Sequence, residues 1–406
     1  MLGAPVLAAC GGGDATTVRW SVFQEPSGAY ARAAAACTEQ AAGRYAIRLE
    51  PLPKTTDQQR ALLVRRLAAR DGTVDLMGMD VIWTAEFAEA GWLRPWEGAP
   101  AAEVSRGVLA GPLATARYRD RLWAAPFTSN TQLLWYRRSR VPRPPETWDQ
   151  LIDRAEALPP GQNQVGVQGA RFEGYTVWVN ALLASAGTGL VADADRPDRA
   201  AADLDEIPTR QALGVIRRLA TSPVASPSLA VADEARTSIE FQSGASAFAV
   251  NYPSVWASVR QEAPAVFADM GYARYPAVRA GRPSRPPLGG INLGVSAYSR
   301  HPELAFDAAT CLRGAANQTL AAVAGGLPPT LDAVYDRPEV RRQFPFGDLL
   351  RRSIADAGPR PATPAYNDVS RAVQHVLHPP AGVDPDAAVP RLRRAVDDAL
   401  ASRALL

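Results

Sequence analysis

The 406-residue sequence is poor in the side chains that most often carry catalysis and metal binding. It has three histidines and three cysteines, and Lys54 is its single lysine. His375 and His378 are spaced to share a helix face, yet no acidic or cysteine partner accompanies them at zinc-site spacing. We therefore expect neither a metal nor another cofactor.

Motifs of several enzyme classes are also missing. The sequence has no Gly-x-Ser-x-Gly elbow, no P-loop, no Gly-x-Gly-x-x-Gly and no His-Glu-x-x-His. A carboxylate pair is harder to exclude, because Glu25 and Asp80 each follow a predicted strand. A glycoside hydrolase needs two acids about 5–9 Å apart, and we keep that function as an alternative. Glu25 could equally stabilise a helix N-terminus, and Asp80 could cap the next helix.

Charge and hydropathy narrow the class further. A net charge of +3 gives no reason to expect nucleic-acid binding, and no run of about 18 apolar residues indicates a membrane span. With 47% hydrophobic and 21% charged residues, the chain has the composition of a folded protein, and its length favours two domains.

The N-terminus resembles a bacterial lipoprotein signal. Leu7-Ala8-Ala9-Cys10-Gly11 has small residues before a cysteine that would carry the lipid, although the segment before it is shorter than a secretory signal and uncharged. A chance alanine-rich start is the alternative. We interpret residues 1–17 as a signal remnant and tether.

If Cys10 carries lipid, Cys37 and Cys311 remain. Two leftover cysteines in an exported protein indicate one disulfide. Two separate buried thiols on the apolar faces of predicted helices are the alternative.

Periodicity predicts alternating strands and helices. Strands are expected at 18–23, 46–52 and 74–79, and an amphipathic helix at 55–70. This order predicts a layered α/β fold with much of its sheet parallel.

The stretch 238–256 is the most informative segment. It predicts a strand that ends at Asn251-Tyr252-Pro253 before a new helix. Asn251 would offer an amide, and Tyr252 and Trp256 flat rings with polar tips, at a strand end where α/β proteins bind ligands. This set suits a sugar, and a buried aromatic cluster is the alternative.

Several segments, in this order, resemble one family across nearly the whole chain. They are Asp80 with 88–93, Ala124-Ala125-Pro126-Phe127-Thr128-Ser129-Asn130, Pro145-Glu146-Thr147-Trp148-Asp149-Gln150, 242–247, Gly289-Gly290-Ile291-Asn292-Leu293 and Gly325-Gly326-Leu327-Pro328. The chain resembles the extracellular sugar-binding proteins of bacterial ABC transporters. Within them, 128–136 and 360–366 are similar to the mycobacterial trehalose-recycling lipoproteins, whereas the short start and the loop 279–287 depart from that pattern.

The resemblance implies a two-lobe α/β fold of the type II periplasmic-binding-protein class, with lobes joined by crossing hinge segments. The expected boundaries are 18–127 with 291–335 for lobe 1, 131–287 with 345–406 for lobe 2, and hinges near 128–130, 288–291 and 336–345.

The resemblance also implies a ligand site between the lobes. Its expected residues are Gln24, Glu25, Asp80, Asn130, Gln242, Asn251, Tyr252, Trp256, Gly290 and Arg360, with Glu173, Tyr175 and Trp178 as weaker candidates. The expected function is capture of a neutral disaccharide, with trehalose the leading ligand, and delivery to an ABC permease. A binder of another solute is a further alternative. We expect no catalysis, a monomer, and a location at the outer face of the cytoplasmic membrane with lipid as the only membrane contact.

Overall fold

The structure is a computed structural model that describes residues 15–402, so Cys10 and the tether up to residue 14 lie outside the described part. Two sheets organise the chain, each with helices packed on it, and each builds one lobe. No helix between residues 15 and 402 combines the length and apolar character needed to span a bilayer.

Lobe 1 is built on a five-stranded sheet. Its strands, in spatial order, are β2 (Tyr45–Leu52), β1 (Thr16–Phe23), β3 (Leu76–Asp80), β13 (Gly289–Val295) and β6 (Ala124–Asn130). Its other elements are the two-stranded β4 (Arg117–Tyr118) and β5 (Arg121–Leu122) and the helices α1 (Ala29–Gln40), α2 (Thr56–Ala68), α3 (Trp83–Glu89), α4 (Gly98–Ser105), α5 (Ala110–Thr115), α12 (Pro302–Leu312) and α13 (Ala315–Gly325). β1 pairs in parallel with β2 and β3, whereas β13 is antiparallel to both its neighbours.

Lobe 2 is built on a four-stranded sheet. Its strands, in spatial order, are β12 (Met270–Ala273), β7 (Leu133–Arg137), β11 (Ser246–Asn251) and β8 (Gln164–Gly166). Its other elements are the pair β9 (Val191–Ala192) and β10 (Ala201–Ala202) and the helices α6 (Trp148–Glu156), α7 (Glu173–Ala186), α8 (Glu206–Thr221), α9 (Glu234–Gln242), α10 (Ser254–Glu262), α11 (Pro264–Ala268), α14 (Pro338–Gln343), α15 (Gly347–Ala355), α16 (Tyr366–Leu377) and α17 (Pro385–Leu400). Short 3-10 turns lie at Leu229–Val231, Asp332–Asp336 and Pro380–Gly382.

Local sequence explains several of these elements. β1 forms because Val18, Trp20 and Val22 alternate toward the core and are at most 1% exposed. At the start of α6, the Thr147 hydroxyl accepts the backbone N–H of Gln150 and so caps the helix. The fold follows the α/β architecture expected from the sequence.

Three segments connect the lobes. The chain crosses between β6 and β7 at 131–132, and returns into β13 through Gly289 and Gly290. The third crossing, expected at 336–345, stays a prediction. Val334 and Tyr335 share a hydrophobic cluster with the lobe 2 residue Trp135, whereas the Asp332 N–H still donates to the Gly107 carbonyl of lobe 1.

The chain at this second crossing requires a glycine at position 290. Its φ is 139°, and a Cβ there would lie 2.2 Å from the Thr128 carbonyl oxygen of β6. The backbone of Gly290 therefore approaches the neighbouring strand closely, and contact of Gly290 with a ligand stays a prediction.

Cys37 and Cys311 join α1 to α12 by a disulfide, with their Cα atoms 5.9 Å apart. The link closes a sequence separation of 274 residues. Both helices lie on the same face of the lobe 1 sheet and contact each other.

Candidate functional site

The ends of adjacent strands bring polar residues to one edge of lobe 1. β3 ends at Asp80 and β6 ends at Asn130, and β13 runs between them. In the pairing register, Ile291 lies opposite Asp80 and Gly289 lies opposite Asn130. Asp80 and Asn130 are thereby placed at the edge that faces lobe 2.

Asp80 links the two lobes. Its Oδ1 accepts the backbone N–H of Ile82 at 3.1 Å and an Nη2 hydrogen bond from Arg360 at 3.0 Å. Arg360 belongs to the segment between α15 and α16 of lobe 2. Its side chain is 4% exposed and that of Asp80 21%, so this ion pair bridges the cleft with little water around it.

Lobe 2 holds Arg360 through Glu173, the first residue of α7. Arg360 Nη1 donates to Glu173 Oε1 at 2.6 Å, and the hydroxyl of Tyr366 donates to the same oxygen at 2.5 Å. The Ser370 hydroxyl donates to Glu173 Oε2 at 2.6 Å. The guanidinium is thus fixed from one lobe and presented to the other.

The charges in this cluster compensate one another. Burial alone would lower the pKa of Arg360, but the carboxylates of Asp80 and Glu173 raise it well above its ordinary value. For Glu173, burial raises the pKa and the charge of Arg360 opposes that rise. Within this cluster, one cation therefore faces two carboxylates.

Tyr252 and Glu234 extend the lobe 2 side. Burial, followed by the charge of Glu234, raises the pKa of the half-buried Tyr252, and the charges of Arg360 and Asp80 also act on it. Burial raises the pKa of Glu234 to about 7. Asn130 lies nearby, since a Cβ on Gly289 would stand 3.7 Å from Asn130 Cβ and 4.0 Å from Arg360 Nη2.

Trp256 was expected in the ligand site, but its ring lies apart from this cluster. Its ring is 8% exposed and packs against Trp135, Phe267 and Phe346, with the nearest ring centroid at 4.6 Å. The ring is thus largely enclosed by other aromatic rings, as in the buried-cluster alternative, and its contact with a sugar stays a prediction. Tyr175 and Trp178 are likewise buried in the lobe 2 core.

Asn251 and Gln242 are also used internally. The Asn251 amide donates to the Glu234 carbonyl at 2.9 Å and accepts the Tyr252 N–H at 2.7 Å, so it orders the strand end that positions Tyr252. Gln242 donates to Ser258 at 2.8 Å and ties α9 to α10. It stands about 12 Å along α9 from Glu234.

Glu25 supports α1, as in the structural alternative. Its two carboxylate oxygens accept the backbone N–H groups of Ser27 at 2.7 Å and Ala29 at 2.8 Å. Gln24 is exposed beside it. Both line a groove of about 700 Å³ formed within lobe 1 by the ends of β1 and β2 and the start of α1.

Two further cavities lie between the lobes, and Arg360 lines the first of them. One, of about 420 Å³, lies along α3, α5, α7 and the chain before Arg360. The other, of about 590 Å³, lies between α2 and α16 and is lined by polar side chains that include Arg171, Arg371 and His375. Among residues 15–402, no group of three or more His, Cys, Asp or Glu side chains is arranged to hold a metal ion.

Sequence reasoning missed two residues of the cluster. Ser370 and Glu234 come from α16 and α9, and no motif connects them to Asp80. Tyr366 was part of the resembling segment 360–366 without an assigned role.

The family described as bacterial extracellular solute-binding protein matches residues 32–344, more than half of the chain. The chain belongs to this family. A "Probable ABC transporter-binding protein" of Deinococcus radiodurans is 29% identical over 348 residues, which cover 82% of this chain and 81% of the relative. Members of the family are solute-binding receptors rather than enzymes.

Solved structures share the two-lobe architecture. Maltose-bound MalE3 of T. maritima has a TM-score of 0.84 at 24% identity, covering 94% of this chain and 99% of the other. The GacH receptor of Streptomyces glaucescens, solved unliganded and with acarbose, has 0.83 at 21%, covering 96% and 100%. A Thermotoga lettingae solute-binding protein bound to α-D-tagatose has 0.81 at 21%, covering 95% and 100%. These likenesses confirm the two-lobe fold.

Proposed function

We propose that this solute-binding protein captures a neutral sugar or polyol between its lobes and delivers it to an ABC permease, with trehalose the leading ligand. The observation that carries the proposal is the interlobe cluster in which Arg360 is compensated by Asp80 and Glu173. Carboxylates and amides can hold sugar hydroxyls through several strong hydrogen bonds. Because the charge of Arg360 is already compensated by two carboxylates, this cluster favours a neutral ligand over an anionic one.

The names of similar proteins support this class. Solved structures with the same fold are described with maltose, acarbose, tagatose and ribitol, which are neutral polyhydroxylated solutes or, in acarbose, a sugar mimic. We propose Asp80, Asn130, Tyr252 and Arg360 as contacts, with Tyr252 as the ring against which a sugar face packs. The proposal also includes a lipid on Cys10, which would hold the receptor beside its permease at the outer face of the cytoplasmic membrane.

Isothermal titration calorimetry tests the proposal with trehalose, maltose, sucrose and ribitol, and with glucose 6-phosphate as the anionic comparison. We expect saturable one-to-one heat with at least one neutral solute and none with the phosphate. Absence of heat and of thermal shift with every neutral solute would reject it. Release of glucose from trehalose during incubation would instead support the hydrolase alternative.

A further inference from the structure

The 420 Å³ cavity beside Arg360, which we name the flank cavity, has walls made largely of carbon. Lobe 1 contributes the start of α3 and one face of α5, and lobe 2 contributes α7 and the chain before Arg360. Its apolar lining includes Val81, Ile82, Ala85, Leu190, Leu288 and Ile354. No aromatic ring is among its lining residues in the described part of the chain, so it offers no face for stacking a sugar.

Three polar side chains that line the flank cavity, Asn180, Thr188 and Thr115, are already hydrogen-bonded to the protein, and Arg117 lies at its wall as well. The Asn180 amide donates to the carbonyls of Gly358 at 3.2 Å and Pro359 at 3.3 Å. The Thr188 hydroxyl donates to the Asp203 carbonyl at 2.6 Å and accepts the Asp205 N–H at 2.9 Å.

Thr115 is committed in the same way. Its hydroxyl donates to the Pro112 carbonyl at 2.8 Å and accepts from Asn292 at 3.2 Å. A sugar ring placed in the flank cavity would lose hydration for its hydroxyls without gaining many new partners.

In contrast to a sugar ring, an apolar group placed in the flank cavity would not need hydrogen-bond partners there. Apolar cavities of about 150 Å³ in proteins stay dry and bind molecules such as benzene. The flank cavity is larger and adjoins Arg360 at the polar end of the cleft. It is therefore continuous with the site proposed for the hydroxylated part of the solute.

We infer that the flank cavity receives an apolar substituent, so that the solute class is a glycoside carrying an alkyl or aryl group. Its sugar would lie at the Asp80–Arg360 end and its apolar group along α5 and α7. The sugar half of this inference rests on the proposed function, and the apolar half rests on the flank cavity alone.

The first arm of the test is calorimetry with methyl, butyl and hexyl glucosides. Each buried methylene is expected to raise the affinity about fourfold. Ala114→Asp places a charge on the flank cavity wall at an exposed position of α5, so it should remove the chain-length dependence without disturbing the core. Ala102→Asp, at an exposed position of α4 outside the flank cavity, is the matched control and should preserve the dependence.

The second arm needs no sugar. Saturation-transfer NMR with indole should show binding to the wild type and to Ala102→Asp, and loss of binding in Ala114→Asp. If indole binds in this pattern while no sugar binds, the flank cavity assignment stands and the proposed sugar function fails. Equal affinity across the glucosides together with no indole binding overturns the inference. So does a larger gain from maltose to maltotriose than from methyl to hexyl glucoside, because the flank cavity would then be a sugar subsite.

Discussion

Replacing Asp80 tests the site most sharply, because this side chain joins the two lobes. Asp80→Asn keeps the size of the side chain and an acceptor oxygen for the Ile82 N–H and for Arg360. The substitution removes the negative charge, which strengthens these hydrogen bonds and would also strengthen a hydrogen bond from a ligand hydroxyl. Asp80→Ala removes the acceptor as well.

The magnitude follows from hydrogen-bond energetics. A bond to a charged group contributes about 1.5–3 kcal/mol and a neutral one about 0.5–1.5 kcal/mol. Asp80→Asn should therefore weaken binding by about 1 kcal/mol or somewhat more, which is roughly 5- to 10-fold. Asp80→Ala should weaken it by about 1–3 kcal/mol, or roughly 5- to 150-fold.

Calorimetry with the best neutral ligand of the wild type measures both variants, and circular dichroism verifies that they are folded. Asp307→Asn is the control. Asp307 lies on α12 of lobe 1 and forms an exposed ion pair with Arg44, so this substitution removes the same charge away from the cleft. Its affinity should equal that of the wild type. Wild-type affinity in a folded Asp80→Ala protein would refute the role of Asp80 in the site.

Three further predictions concern stability. Glu25→Ala should lower the free energy of unfolding by about 1–2 kcal/mol in urea, because two N–H groups at the start of α1 lose their acceptor; an unchanged midpoint would contradict this capping role. The pKa of Glu234 is about 7 in the fold against about 4.3 in an unfolded chain, so its contribution to stability is present below about pH 4 and is lost as the pH rises through about 7. Between pH 5 and 8 the wild type should thus lose up to about 3 kcal/mol relative to Glu234→Gln, and parallel pH profiles would refute it. Serine at both Cys37 and Cys311 should lower stability by about 2–5 kcal/mol, and two alkylated thiols in the unreduced, denatured wild type would contradict the link.

Much of the fold could be predicted because it depends on local patterns. The strand expected to end at Asn251 is β11, and the expected helix at 55–70 corresponds to α2. The alternation of Val18, Trp20 and Val22 identifies β1 from hydrophobicity alone.

The candidate site could be predicted only where function coincides with a strand end. Asp80 follows a buried strand, so its position at the sheet edge was foreseeable. Trp256 has the flat ring on which a sugar can stack, but the sequence does not reveal that Trp135 and Phe346 pack against this ring. Glu234 and Ser370 come from separate helices and meet the cleft only through tertiary packing.

Hydrogen bonds to the backbone occupy two other expected site residues, Glu25 and Asn251. Glu25 and Asn251 are polar residues at strand ends, as a ligand site requires. Their side chains nevertheless bond to backbone groups. Glu25 accepts N–H groups of its own turn, and Asn251 accepts the Tyr252 N–H and donates to the Glu234 carbonyl of α9. Short polar side chains near turns bond locally whenever the backbone leaves groups open, and residue type alone does not separate that use from ligand contact.

The location of a bound solute tests the central claim most directly. A crystal structure grown with the neutral sugar that binds most tightly should contain it between the lobes, with a hydroxyl within about 3.2 Å of Asp80, Asn130 or Arg360 and a ring face against Tyr252. A sugar bound elsewhere, or a cleft that stays closed by the Asp80–Arg360 pair at saturating sugar, would contradict the account.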